Sequence, residues 1–323
     1  HLPVYQSDGI AAVSNAYGST ATVAWKAGGT ELTVTLAAGA SIADGNVIKS
    51  LGSLRDANNV GNSAAAGKIL DFVPPTFTSF TAGPVNTVIA SEIEISLTDL
   101  KGKGNESNDT VGFKVTTVSN GTLKIGTASG SATAFAAGTN DVINGTNKGF
   151  WTPASDKVGK DLAGFTVAAL DTAGNASTPA VSVEIAAIGS GVASIAVDAF
   201  KGLSNLTSVT IPSSVTSLGG YAFNGATSLA TVTFGAGSQL TSIGADAFRS
   251  TGLTGALVIP DLVTSIGNNA FRTATGLTSV TIPSGVKTIG SAAFSGATSL
   301  TSVTIPASVT SIGAVSYTHL RAH

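Results

Sequence analysis

The sequence predicts a mainly β protein, in which antiparallel β-sandwich modules lead into a solenoid of short repeats with a parallel sheet. Three observations predict it. An Ala-Phe pair recurs through the last third of the chain at Phe200, Phe223, Phe248, Phe271 and Phe294, in steps of 23, 25, 23 and 23 residues, the period of a stacked repeat. The composition suits short strands and tight turns: 43% of residues are hydrophobic, there are 39 Gly, and only 11% are charged, against about 25% in ordinary globular domains. The chain before the repeats alternates apolar and polar residues over short stretches bounded by turn residues, the pattern of half-buried strands.

Taken in order, residues 1–72 contain LTVTLAAG and IKSLGSLRDANNVGN, a strand followed by turn-rich sequence. Pro74-Pro75 then reads as a linker. Residues 73–187 form the next module: residues 92–97 alternate, as do residues 112–115 and 164–167, and Asn120-Gly121 is a hairpin signal. Trp151 reads as a core residue of the sandwich, with a sugar-stacking platform as the other reading. The strings NGTLKIG, FAAGTND, WTPA and FTVAALDTAGNAS resemble cadherin-like or Ig-like sandwich modules of large bacterial adhesins. That resemblance implies architecture. Residues 1–72 resemble the C-terminal part of a related Ig-like module whose N-terminal strands are missing.

Residues 188–314 repeat the unit L-T-S-V-T-I-P-x-x-V-T-S-I-G-x-x-A-F-x-x-A-T-x. A second anchor recurs at Ile211, Phe234, Ile259, Ile282 and Ile305, usually before Pro, and a third at Ile195, Leu218, Ile243, Ile266, Ile289 and Ile312, mostly before Gly. Each unit holds two short extended pieces. Pro ends the first because it cannot donate to a ladder, and the second turns at Gly. Leu206, Val209, Ile211, Val215, Leu218, Ala222 and Phe223 should face inward; one unit cannot enclose that apolar set, whereas stacked units can. The two extra residues of the long step fall in the turn at 235–238. Outward sheet positions form two columns, Thr210, Thr233, Val258, Thr281, Thr304 and Ser208, Thr231, Ala256, Ser279, Ser302. Thr favours exposed strand positions in any case; the alternative is a flat contact face. A regular Thr array could also bind ice, but the Ala256 and Val258 interruptions and the Pro-bounded strands count against that.

This template resembles the BspA-type (treponemal) leucine-rich repeats of bacterial and protozoan surface proteins. The resemblance implies exposure outside the cell and binding to protein or glycan ligands of host matrix or other cells. The ligand-face candidates are Ser208, Thr210, Thr231, Thr233, Ser279, Thr281, Ser302 and Thr304. The last nine residues, VSYTHLRAH, break from the repeat and resemble translated read-through of a sequencing adapter; they read as a non-native tail, 315–323, in a chain that is itself a metagenomic fragment. The next repeat Phe is due at position 317, where Tyr317 stands.

Several chemistries are disfavoured. There is no Cys, hence no disulfide, thiolate metal site or Cys nucleophile. Two of the three His lie in the tail and the third is His1, so a His-based triad or general base is not expected. A glycosidase needs two facing carboxylates, and the repeats carry Asp198, Asp246 and Asp261 in no evident column. An enzyme is therefore not expected, and no organic cofactor is implied. The net charge of −2 provides no basic field for nucleic acid, and no apolar run reaches the ~18 residues of a membrane span. Cadherin-like modules often bind calcium through clustered carboxylates, which makes Glu92, Asp99, Asp109 and Asp171 calcium candidates, although Asp also caps turns by itself. The expected function is that of a secreted or cell-surface bacterial adhesin, its sandwich modules a stalk for the repeat surface. The alternative is a purely structural spacer whose parent protein carries its site elsewhere.

Overall fold

The structure, a computed structural model, describes residues 74–314 together with the strands Val4–Tyr5, Thr22–Trp25, Leu32–Thr35, Val47–Ile48 and Lys68–Ile69. The truncated module expected over 1–72 lies, apart from those strands, outside the described residues, as does the tail 315–323 with Tyr317. Among the five strands, Thr22–Trp25 pairs antiparallel with Leu32–Thr35, and Val47–Ile48 lies between Val4–Tyr5 and Lys68–Ile69. Nearly all of the described secondary structure is β. No described helix is long and apolar enough to cross a membrane.

Two four-stranded sheets follow. One has the order Thr133–Ala134, Gly121–Gly126, Lys148–Pro153, Ile93–Ile95, paired antiparallel throughout. The other has the order Val142–Asn144, Gly112–Val118, Val158–Leu170, Val181–Ile188. Their alternating apolar residues share one core, including Ile95, Phe113, Leu123, Ile143, Trp151, Phe165 and Val183. Trp151 is fully buried there, which removes it as a sugar platform. Phe77 packs edge-on against Phe80 and Phe113, with centroids 5.0 and 5.3 Å apart.

Two local expectations are corrected. Asn120-Gly121 does make a tight turn, with Asn120 left-handed at φ 52°, but it joins strands of different sheets and so is not a hairpin. Gly121 pairs with Pro153, while the Asn120 side chain donates to the Ala163 carbonyl at 2.9 Å. The alternation over 92–97 ends at Ile95. Ser96 then caps a short helix, Leu97–Lys101, in a capping box with Asp99, because the reciprocal side-chain to main-chain bonds satisfy the first free N–H groups.

The sheets and the repeats meet in a shared rung. Strand Val88–Ile89 runs parallel to Ser208–Ile211, with Val88 opposite Ser208 and Ile89 opposite Val209. Thr207 N–H donates to the Thr87 carbonyl at 2.7 Å, and Ile89, Ala186 and Ile188 belong to the repeat core. Asn86, buried, ties the junction: its amide donates to Val88 and Ala186 carbonyls at 2.7 and 2.8 Å and accepts from Ala186 N–H at 2.9 Å. Those bonds offset the cost of burying a polar amide.

Within the repeats every residue expected inward is buried, from Leu206 to Phe223. The five anchor rings form one continuous stack, with centroids 5.1, 5.3, 5.4 and 5.3 Å apart and planes within 8° of parallel. That spacing is close to the ~4.8 Å between strands, so each ring rides on its own rung. The main chain reinforces it: Phe200, Phe223, Phe248 and Phe271 each donate an N–H to the Ala before the next Phe, at 2.8 Å. Threonines add a side-chain ladder: Thr216, Thr241, Thr264 and Thr310 hydroxyls donate to carbonyls one rung back, at 2.9 to 3.2 Å.

Two positions per repeat are left-handed. One holds Asp198, Tyr221, Asp246, Asn269 and Ala292, all with φ between 55° and 60°. Asp198 and Asp246, read from sequence as standing in no column, therefore do share one, and its requirement is conformational. The other holds Gly202, Gly225, Ser250, Thr273 and Gly296. Thr273 at φ 59° is a β-branched residue where Cβ clashes cost about 1–2 kcal/mol. Thr273→Gly is expected to stabilise the chain by about 1 kcal/mol, even after glycine's greater unfolded-state freedom. A thermal melt should move upward by roughly 2–4 °C; an unchanged or lower midpoint would remove strain at Thr273 from the account.

The parallel sheet is not one sheet. The ladder that runs unbroken is the short one, Ser194–Ile195, Ser217–Leu218, Ser242–Ile243, Ser265–Ile266, Thr288–Ile289 and Ser311–Ile312. The longer strands split into two groups. Val88–Ile89, Ser208–Ile211 and Thr231–Phe234 form one, and Thr254–Val258, Gly276–Thr281 and Ser302–Thr304 the other. Three sequence changes coincide at the break. Gly235 replaces the strand-ending Pro, and the turn at 235–238 carries the two extra residues. The segment from Phe248 to Leu253 is one residue short, and a bulge at Gly255, φ 69°, restores the register. Thr251 fills the small-residue slot of that short segment and, buried, donates its hydroxyl to Phe248 O at 2.8 Å.

Candidate ligand face

The predicted columns exist within each group of long strands and are interrupted between them. Ser208 lies opposite Thr231 and Thr210 opposite Thr233; Ala256, Ser279 and Ser302 align, as do Val258, Thr281 and Thr304. Thr231, Thr233, Ser279, Thr281 and Thr304 are exposed, and Ser208 and Thr210 half-buried. Ser302 is placed by its main chain. The outward positions are therefore fixed by strands whose other face is the repeat core, which makes them a rigid surface of hydroxyls and methyls. None of these side chains stands in a pattern that performs acid–base or nucleophilic chemistry.

Between the two groups lies a groove of about 620 Å³. Val232, Thr233 and Phe234 line one wall and Ala256, Val258 and Ile259 the other, with Gln239 and Asp261 toward the turns. Val258 and Leu262 are 63% and 48% exposed, the most apolar part of this face. The two columns thus run only within each group of long strands, and the groove between the groups is a feature that sequence reasoning missed.

The calcium candidates do not assemble. Among the described residues no three His, Cys, Asp or Glu side chains stand close enough to share a metal ion. Glu92 pairs with Lys124 at 2.6 Å and accepts from Ser129; the Lys124 hydrogen bond and then the Ser129 hydroxyl hold its carboxyl below the usual range. Asp99 caps the helix, accepting the Ser96 N–H at 2.8 Å. Asp109 is exposed in a turn. Each is thus a structural or solvated carboxylate, and the set does not fit a calcium cage.

Asp171 closes its own turn, accepting N–H groups of Ala173 and Asn175 at 2.8 and 2.9 Å and the Asn175 amide at 2.8 Å. Burial pushes its carboxyl up, but hydrogen bonds from the Asn175 side chain and the main chain of Asn175, Ala173 and Gly174 outweigh it and hold the carboxyl below its ordinary value. A group with a lowered folded-state pKa contributes stability above its unfolded pKa and loses it as pH falls through the folded value. Below about pH 4 the wild type should lose stability more steeply than Asp171→Asn, which starts less stable at neutral pH. Parallel pH profiles would contradict this role.

The BspA type leucine-rich repeat region matches residues 186–321, in six copies. Among solved structures, the chain is similar to a leucine-rich repeat protein of T. pallidum, at 32% identity over 38% of this chain and 67% of that one, TM-score 0.30. It is also similar to a leucine-rich cell-surface protein of Faecalibacterium prausnitzii A2-165, at 33% identity over 40% of each chain, TM-score 0.34. A leucine-rich repeat protein of Bacteroides ovatus matches at 26% identity over 42% of this chain and 38% of that one, TM-score 0.30. The chain spans less than half the length of the last two. No curated protein matches it.

Proposed function

The chain belongs to the BspA-type leucine-rich repeat proteins through residues 186–321, and from that premise we propose that it is part of an extracellular bacterial recognition or adhesion protein. The two-sheet module anchors and presents the repeats, and the sheet face is the contact surface for a protein or glycan ligand. The observation that carries this reading is the exposed Ser/Thr surface of Thr231, Thr233, Ser279, Thr281 and Thr304 on strands backed by a continuous core. A rigid face binds at low entropic cost, because little is ordered on contact. Family membership supports the surface location.

The test is a screen of the full chain, immobilised, against extracellular matrix proteins and a glycan array. For any partner found, Thr233→Arg and Thr281→Arg are expected to weaken binding at least tenfold, since each drives a long charged side chain into the contact plane. A partner whose affinity survives both substitutions binds elsewhere, and the sheet-face reading fails.

A further inference from the structure

We propose that the groove at the split of the sheet is a docking slot for an extended peptide strand of a partner protein, preferably one with a basic residue at one end of the bound segment. This rests on reading the sheet face as a recognition surface and names the partner chemistry for part of it.

The walls are two strand edges with nothing between them. Thr231–Phe234 and Thr254–Val258 belong to different sheets and are not hydrogen-bonded neighbours. They touch at one end, where Thr254 N–H donates to Ala230 O at 3.2 Å, and part beyond it. In a parallel strand alternate residues direct their main-chain groups to opposite sides. Gly235 N–H donates back to Ile211 O at 2.9 Å, so Phe234 is out of phase with that pairing, and both it and Val232 direct N–H and C=O into the groove. On the far wall Ile259 N–H donates to Thr281 O at 3.1 Å, so Ala256 and Val258 direct theirs into the groove as well. All four residues line it.

Rows of main-chain donors and acceptors at strand spacing are the complement of another strand, the mode in which a peptide adds to a sheet edge. A sugar has no such row. Four residues at about 3.3 Å each match the length of the Thr231–Phe234 edge. Side-chain preference follows from the rim. Val258 and Leu262 offer exposed apolar surface. Asp261 is exposed and, among the described residues, the only charged one lining the groove, and no ion pair among them uses it. A Lys or Arg of the partner segment is its natural complement. The anchors Ile211, Ile259, Ile282 and Ile305 keep Pro next and the regular turn length, so Phe234 alone among these anchors combines a missing Pro with a lengthened turn.

The test uses the full chain and a panel of fluorescent hexapeptides built from Val, Thr, Ile and Ser, with Lys at one end or the other, read by anisotropy. At least one is expected to bind. N-methylating alternate residues of that peptide, which removes main-chain donors and keeps the side chains, should weaken it at least tenfold. Deleting Ala236 and Gly237, which restores the regular turn length, should abolish binding. Asp261→Asn, at an exposed position that folding tolerates, should erase the preference for Lys over Glu in the peptide. No binding by any peptide, equal binding of the N-methylated form, or occupation of the slot by a glycan instead would overturn the proposal. A matrix protein or glycan lost with Thr281→Arg but kept by the deletion variant would leave the recognition face standing and remove only the slot.

Discussion

Replacing Phe248 with alanine is expected to cost about 3–5 kcal/mol and to lower the melting midpoint by roughly 6–20 °C. Phe248 is fully buried and stacked on both sides, on Phe223 at 5.3 Å and on Phe271 at 5.4 Å. The cost of a large-to-small change depends on how far the surroundings collapse into the space. Here collapse is opposed, since Phe223 N–H to Ala247 O and Phe248 N–H to Ala270 O, each 2.8 Å, fix the rung separation. The cavity should therefore persist. Among the described rings Phe200 stacks on one neighbour, Phe223, so Phe200→Ala should cost less than Phe248→Ala. Denaturant titration of the three chains decides it: a Phe248→Ala loss below about 1.5 kcal/mol, or one no larger than that of Phe200→Ala, would mean the stack is not the continuous core described.

The second large effect is Gly267→Ala, expected to cost about 3 kcal/mol, the upper range for overpacking. A Cβ on Gly267 would lie 2.5 Å from Ala245 N and 2.6 Å from Gly244 C on the rung before. These are main-chain atoms, which no rotamer change can move aside. Gly219, Gly244, Gly290 and Gly313 meet the preceding rung in the same way, so the glycine is demanded by the approach of the rungs. Ala196, at the head of that column, shows the converse: it is the residue that Gly219 would strike, and it carries a Cβ itself. Gly130→Ala is the control, since its Cβ would meet nothing within 4 Å and the change should be nearly neutral. Equal stabilities of Gly267→Ala and Gly130→Ala would refute the close packing of this turn.

The repeat stack was legible because its constraints fall on side chains. Rings that stack must be rings, and turns without room for Cβ must be Gly, so Phe248 and Gly267 announce the period. Features set by the main chain left weaker marks. The left-handed column accepts Asp198, Tyr221, Asp246, Asn269 and Ala292 alike, so no single residue type marks it. The break in the sheet hid for a different reason: the residue missing before Leu253 and the one added at Gly255 cancel, and the interval from Phe248 to Ile259 equals that of its neighbours. The two extra residues at 235–238 were visible, but by themselves they read as a longer turn. The rung supplied by Val88–Ile89 is two residues long and far from the repeats in sequence, beyond the reach of any periodicity. The short helix was signalled by Ser96 and Asp99 at capping-box spacing, and the alternation over 92–97 masked it. For the calcium candidates, Ser96 engages Asp99 locally in the capping box, whereas Lys124 engages Glu92 through a tertiary contact that no local pattern announces.

A scaffold with one unbroken ladder and one split face is central to both the recognition surface and the slot within it. Amide hydrogen exchange, resolved to single residues on the full chain without added ligand, tests it most directly. Strong protection is expected at Gly219, Gly244 and Gly267, whose N–H groups bond to the preceding rung at 2.8 to 2.9 Å, and fast exchange at Val232, Phe234, Ala256 and Val258. Protection of those four amides equal to that of Gly244 would mean the long strands close into one sheet, and the split face would not exist.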